Sequence, residues 1–70
     1  MAESVYKIIE IVGTSEESWE AATRAAVERA SSTLRDLRIA EVEKLDVTVD
    51  KNKVALFRAK LKLSFKYGEA

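Results

Sequence analysis

An apolar run that ends at the start of a helix is the feature that most constrains this chain. Residues 5–12 are rich in β-branched side chains and are too few for a stable helix, which indicates a strand. Gly13 then interrupts the run. Thr14 and Ser15 are candidate N-cap residues, because a hydroxyl can accept a hydrogen bond from a free amide of the first helical turn, and Glu17 completes the spacing of a capping box. The sequence therefore predicts a strand, a break and a helix.

The helix is predicted to run from about Glu16 to Asp36 and to be amphipathic. Its apolar side chains recur at spacings of three and four and fall on one arc of roughly 140°. The members of this arc are Trp19, Ala22, Ala26, Val27, Ala30, Leu34 and Leu37. Because alanine is the most frequent of them, we expect a sheet to approach this face closely.

After the helix the pattern changes to the alternation that is typical of strands. One strand is predicted over residues 38–50 and another over residues 54–67. The polar residues between them favour a tight hairpin, in which Asn52 has positive φ and Asp50 faces Lys53. A first strand joined to the second by a helix runs parallel to it, so it completes an antiparallel sheet only beside the third. The predicted fold is α+β, with the order β-α-β-β and a three-stranded antiparallel sheet of order 1-3-2.

This register also makes predictions for side chains. It places Glu43 opposite Lys60 and Glu41 opposite Lys62, so that opposite charges face each other across the two strands. It further places an apolar patch near the hairpin tip, on the sheet face turned away from the helix. The members of that patch are Leu45, Val47, Val49, Val54 and Leu56. Such a patch favours contact between subunits.

Size and composition narrow the function. Residues 1–70 form a single small domain, whose core is marginal without oligomerisation. The absence of cysteine and histidine disfavours an enzyme, because it removes the usual nucleophile and general base. Twelve basic and twelve acidic residues cancel, which disfavours nucleic acid and anionic membranes as partners. With no apolar run of about 20 residues, we expect a cytoplasmic protein with no membrane partner.

The segments VYKIIEIVGTS, AEVEKLDV and LKLSFK, in this order, resemble the dodecins, a family of small flavin-binding proteins. The resemblance covers almost the whole chain. It implies a sheet wrapped around the helix, and copies that assemble through trimeric sub-assemblies into a hollow homododecamer. It also implies a non-enzymatic protein that binds or stores a small ligand, with flavin (FMN, FAD or riboflavin) stacked between tryptophans of two subunits.

By this resemblance the flavin site falls at four positions that are substituted here. Ile39 stands where the family has the stacking tryptophan, and Arg58 stands where it has a glutamine. Lys44 and Asp46 stand where flavin-binding members often carry an acidic and a basic residue, so the local charge is reversed. The side chain of Arg58 suits a phosphate, a flavin ring edge or an ion pair at an interface. We therefore expect an altered flavin site.

The acidic residues of the second strand suggest calcium or magnesium as an alternative ligand. Asp46 and Asp50 lie on one face of the predicted strand, where residues two positions apart are separated by about 6.6 Å. The two carboxylates are therefore too far apart for one chain to enclose an ion, whereas several chains could do so. Glu41 and Glu43 are further candidate ligands, although a ladder of ion pairs with the lysines opposite is the alternative interpretation. A purely structural assembly without a ligand is a third hypothesis.

Overall fold

The sheet has three strands in the predicted order. The structure, a computed structural model of the chain, describes residues 3–67. Its elements are β1 (Tyr6–Ser15), α1 (Trp19–Ser31), β2 (Leu37–Asp50) and β3 (Lys53–Lys66). Strand β3 lies between the other two and pairs antiparallel with both. The β-α-β-β order and the 1-3-2 sheet are confirmed. No helix within residues 3–67 is long and apolar enough to cross a membrane.

Helix α1 begins later than predicted. Ser18 is the N-cap, and its Oγ accepts a hydrogen bond from the backbone amide of Ala21 at 3.0 Å. The prediction of a cap at Thr14 or Ser15 was wrong. Both residues belong to β1, and the Ser15 hydroxyl accepts a hydrogen bond from the amide of Glu17 at 3.0 Å in the following turn. Several hydroxyls in this segment can cap a helix. Because β1 stays paired with β3 as far as Ser15, the helix begins only after the last of these hydroxyls.

Helix α1 also ends earlier than predicted, at Ser31 instead of near Asp36. The hydroxyls of Ser32 and Thr33 donate hydrogen bonds to carbonyls of the last turn at 2.7 and 3.3 Å. The same two carbonyls, of Arg29 and Ala30, also accept hydrogen bonds from the backbone amides of residues 32–34 at 2.8–3.3 Å, so hydroxyls and amides together close the last turn. Asp36 has a φ of 58°, which lies outside the right-handed helical region.

The core lies between the alanine face of α1 and the inner face of the sheet, which is the face turned towards α1. Its buried side chains are Ala22, Ala26, Ala30, Ala59, Leu61 and Leu63. Leu34 and Leu37 pack against this core from the loop after α1 and from the start of β2. The apolar pattern that suggested a longer helix is therefore satisfied partly by residues outside the helix.

Gly13 does not break the first strand, contrary to the prediction. It pairs with Ala59 inside β1 and is buried beneath the helix. A Cβ at this position would collide with the carbonyl oxygen of Ala22 and lie 2.8 Å from the Cβ of Ala26. Glycine is therefore required here by the close approach of α1 to β1, and the strand continues past it.

The hairpin turn between β2 and β3 is the one that was predicted. Asp50 faces Lys53, and the two residues between them, Lys51 and Asn52, have φ values of 53° and 65°. Positive φ at both central positions is the requirement of a two-residue type I′ turn, whose twist matches that of the flanking strands. The turn therefore sets the register at the tip of the hairpin.

Two bulges shift that register in the middle of the hairpin. Ala55 in β3 and Glu43 in β2 have no partner in the ladder, so each adds one residue to its own strand. Because the extra residues lie on opposite strands, the predicted pairing returns beyond Glu43, from Val42 to Ile39, and a third shift between Ile39 and Leu37 ends it at the start of β2. Between the bulges the prediction was wrong by one residue: Lys44, not Glu43, lies opposite Lys60.

The bulge at Glu43 changes which side chains of β2 face the helix. Val42 and Leu45 both line the groove beside α1, although an odd spacing in a regular strand would place them on opposite faces. Val47 lies opposite Phe57, whose ring packs edge-on against the first residue of α1. Leu45 and Val47 are therefore on the inner face, and the prediction that they belong to an outer apolar patch was wrong.

The outer face, turned away from α1, still carries exposed apolar side chains. Ile8 and Ile39 lie on either side of Ser64 in one row across the sheet, and they are 57% and 60% exposed. Val49 and Val54 are also exposed, as a pair at the hairpin tip, but they share the face of Leu45 and Val47, so the prediction placed them on the wrong face as well. Apolar surface of this kind favours self-association.

The packing around Gly13 predicts a large effect of one added methyl group. Gly13→Ala should lower the free energy of unfolding by about 1–3 kcal/mol, because the overpacked methyl forces α1 away from β1. Urea denaturation measures this, with Thr14→Ala at the neighbouring exposed position as the control. Equal denaturation midpoints for Gly13→Ala and the wild type would contradict the close packing described here.

Candidate functional site

Three of the four positions predicted for a flavin site meet in one cavity on the outer face. The cavity has a volume of about 290 Å³. Its lining residues are Val12, Lys44, Asp46, Arg58 and Lys60. Ile39 lies elsewhere: it is opposite Ser64, six positions along β3 from Arg58, or roughly 20 Å in an extended strand. Within one chain, therefore, Ile39 does not contribute to this cavity.

A two-pronged ion pair holds the centre of the cavity. Arg58 donates from Nε to Oδ1 of Asp46 at 2.7 Å and from Nη2 to Oδ2 at 3.0 Å. These hydrogen bonds lower the pKa of Asp46 below its ordinary value of 3.8 and raise the pKa of Arg58. Both side chains are thus held in their charged forms, and both carboxylate oxygens of Asp46 are engaged. The bulge at Ala55 makes this possible, because it shifts the register set by the turn and so places Asp46 directly opposite Arg58.

The backbone of Asp46 is also bonded to the helix. The indole Nε1 of Trp19 donates a hydrogen bond to the Asp46 carbonyl oxygen at 3.0 Å. The same indole ring meets Phe57 edge to face, with 5.1 Å between the ring centroids. Trp19 therefore fixes β2 to the start of α1 directly behind the ion pair. The apolar stripe of the sequence indicated a packed tryptophan, but nothing in it indicated this hydrogen bond.

A second group of ion pairs lies beside the cavity. The Lys62 ammonium is 3.0 Å from a Glu43 carboxylate oxygen, and Lys60 is 3.7 Å from Glu43 and 3.6 Å from Glu10. The hydrogen bond between Glu43 and Lys62 lowers the pKa of Glu43 below its ordinary value of 4.5 and raises that of Lys62. Glu41 faces Lys62, as predicted. A ladder of alternating charges therefore covers this part of the outer face.

The four acidic residues predicted as metal ligands do not cluster within one chain. Among residues 3–67, no three acidic side chains come close enough to hold an ion. Asp46 and Glu43 direct their carboxylates at basic side chains, whereas Asp50 is exposed beside the hairpin turn and Glu41 is exposed on β2. A metal site built from these residues would need ligands from more than one copy.

The ion pair of Asp46 predicts a loss of stability in acid. A carboxyl group whose pKa is lower in the folded than in the unfolded protein stabilises the folded state at pH values above its unfolded-state pKa. That stabilisation is lost as the pH falls through the folded-state pKa. The stability advantage of wild type over Asp46→Asn should therefore be full at neutral pH and shrink below about pH 4. Urea denaturation at several pH values measures it.

The partner of Asp46 supplies the control for this experiment. In an Arg58→Met background the same Asp46→Asn substitution should show a much smaller dependence on pH, because the hydrogen bond from Arg58, the largest cause of the lowered pKa, is gone and only the smaller effect of Lys44 remains. An equal pH dependence in both backgrounds would contradict the assignment of the effect to this pair.

Comparison with known proteins agrees with this fold. Residues 5–68 match the family model of the dodecins. The calcium dodecin of Mycobacterium tuberculosis is 48% identical over 63 residues, which cover 90% of this chain and 89% of that protein. The dodecin of Thermus thermophilus is 43% identical over 65 residues, covering 93% of this chain and 94% of that protein.

Solved structures show the same likeness. The dodecin from Streptomyces coelicolor matches with a TM-score of 0.90 at 38% identity, over the full length of both chains. The calcium-chelating calcium dodecin of Mycobacterium tuberculosis, described as having a novel calcium-binding site, matches with a TM-score of 0.83 at 45% identity over 96% of each chain. With its sequence matched over nearly its whole length and its fold shared, this chain belongs to the dodecin family.

Proposed function

We propose that this dodecin is a non-enzymatic binding protein, which assembles from identical copies and holds calcium at the contacts between them. The observation that carries the proposal is Ile39. Where the resemblance to flavin-binding members implies a stacking tryptophan, the outer face presents an aliphatic side chain that is 60% exposed. The similarity to a relative named calcium dodecin supports calcium as the replacement ligand.

The shape of the single chain supports assembly. Its radius of gyration is 14.5 Å and its extents are 54 × 20 × 14 Å. A compact domain of this length has a radius of gyration of about 11 Å. The excess arises from β2 and β3, which have 14 residues each. Because an extended strand rises further per residue than a helix, both strands extend well beyond the helix of 13 residues. Contacts between copies would cover the exposed apolar side chains that this leaves.

The electrostatics favour binding over catalysis. The pKa of Glu43 and of Asp46 is lowered, and the pKa of Lys62 and of Arg58 is raised. Each of these shifts stabilises the charged form of its group, as ion pairs do. Acid-base catalysis instead requires a group whose pKa lies near the working pH. The chain also contains no histidine or cysteine to supply one.

Among the predicted metal ligands, Asp50 and Glu41 are the best suited to calcium. Both are exposed, and neither forms an ion pair within 4.0 Å among residues 3–67. Asp46 would first have to release Arg58, and Glu43 would have to release Lys62. Calcium suits a shared site better than magnesium does, because it accepts six to eight oxygens in flexible geometry.

Flavin is the second candidate ligand. The observation that favours it is the cavity on the outer face, which brings together Lys44, Asp46 and Arg58, three of the four positions implied by the resemblance. Ile39 would have to come from another copy, as expected for a site between subunits. Flavin binding would then lack the stacking that an aromatic side chain provides, worth about 0.5–1.5 kcal/mol per ring beyond the buried area.

The calcium proposal predicts a stability that depends on the ion. Calcium added to chelator-treated protein should raise the melting temperature, and native mass spectrometry should show multimers of the chain that carry calcium. Asp50→Asn should weaken calcium binding about tenfold in calorimetric titration, as expected for the loss of a charged ligand. Asp36→Asn is the matched control, because asparagine also tolerates the φ of 58° there. A melting temperature that is insensitive to chelator and calcium would contradict the proposal.

The flavin alternative predicts a gain of function. Ile39→Trp combined with Arg58→Gln should raise riboflavin affinity at least about tenfold, because it restores the stacking ring and the neutral hydrogen-bonding group. Fluorescence quenching of riboflavin measures it. Ile8→Trp is the control, since it adds an exposed tryptophan in the same row of the sheet. No gain in the double variant would show that the flavin site does not map to these positions.

A further inference from the structure

We propose that the cavity on the outer face binds an oxyanion of the phosphate type between Lys44, Arg58 and Lys60. The inference is independent of calcium binding, because the acidic residues best suited to calcium, Asp50 and Glu41, do not line this cavity.

The displaced register between the bulges at Ala55 and Glu43 contains an unfavourable pairing that needs an explanation. It places Lys44 directly opposite Lys60 on the same face of the sheet. Like charges directly opposite each other destabilise an antiparallel pair. The regular register would have placed Glu43 directly opposite Lys60, whereas here Lys44 takes that place and Glu43 lies beside it, 3.7 Å from Lys60. An anion bound between the two ammonium groups would remove that repulsion.

The charges that line the cavity are predominantly positive. Lys44, Arg58 and Lys60 contribute three positive charges, and Asp46 contributes one negative charge. Both oxygens of Asp46 accept hydrogen bonds from Arg58, and the charge of Lys44 also contributes to the lowered pKa of Asp46. Within 4.0 Å, Lys44 has no acidic partner among residues 3–67, whereas Lys60 forms ion pairs with Glu10 at 3.6 Å and Glu43 at 3.7 Å, neither of which lines the cavity. The side chains that line the cavity therefore carry a net charge of about +2, which Glu10 and Glu43 offset in part at Lys60.

The geometry of the cavity suits a group of phosphate size. Its volume of about 290 Å³ is the volume that roughly ten water molecules occupy in liquid water. The cavity therefore has room for an oxyanion that keeps part of its hydration shell. Arg58 and Lys60 are two positions apart on β3 and so rise from the same face about 6.8 Å apart. Lys44 approaches from β2, and Arg58 keeps N–H donors beyond the two that Asp46 accepts. Donors thus surround the cavity on more than one side.

The test is calorimetric titration of the full chain with inorganic phosphate, at constant ionic strength and with a chelator present. We expect saturable binding that is weakened about tenfold in Lys44→Gln and in Lys60→Gln, as charge-assisted hydrogen bonds are lost. Lys53→Gln, in the exposed turn region outside the cavity, should bind as the wild type does. In the absence of phosphate, Lys44→Gln should unfold at no lower urea concentration than the wild type, since it relieves the repulsion.

A further variant gives an effect of opposite sign. Asp46→Asn removes the one carboxylate that residues 3–67 contribute to the lining and frees the guanidinium of Arg58, so it should bind phosphate more tightly than the wild type. Titration with a phosphate monoester, glycerol 3-phosphate, distinguishes a phosphorylated metabolite from free phosphate as the natural source. No saturable phosphate binding, or equal binding in Lys44→Gln and Lys53→Gln, would overturn the proposal. Because a chelator is present throughout, failure here would leave the calcium proposal standing.

Discussion

The rest of this structure depends on how closely a helix can approach a sheet when both surfaces carry small residues. Gly13 and three alanines of α1 let the backbones nearly touch, and two leucines of β3 fill the space that remains. A core of this size is marginal for 70 residues. It holds the centre of the sheet and leaves the long hairpin uncovered. The same constraint thus produces both the fold and the exposed apolar side chains beyond the helix.

Sequence patterns predicted the elements, their order and the turn, because each follows from local chemistry. Alternation, helical periodicity and the tolerance of Asn52 for positive φ need no knowledge of distant residues. The errors arose where tertiary contacts decide. Gly13 resembled a strand breaker until the position of α1 showed why a side chain cannot fit, and the helical pattern gave no sign of the positive φ at Asp36 that follows the end of α1.

The candidate site was predictable only in part for the same reason. The resemblance to the dodecins indicated Lys44, Asp46 and Arg58, and the structure brings these three together. Their mutual contacts depend on a bulge, which no periodicity reveals, since one unpaired residue leaves alternation intact on both sides of it. The hydrogen bond from Trp19 to Asp46 joins positions 27 apart in sequence and was likewise inaccessible to local patterns.

The pair of bulges has a consequence for how such a sheet can diverge. A single insertion in one strand would displace every later pair and turn a core face towards solvent. Insertions on opposite strands confine the displacement to the segment between them, here residues 44–48 facing 56–60. The pairing of the charged residues in this segment can therefore shift by one position while the turn and the buried leucines keep their register. Relatives that share this core are free to differ in what that middle segment presents.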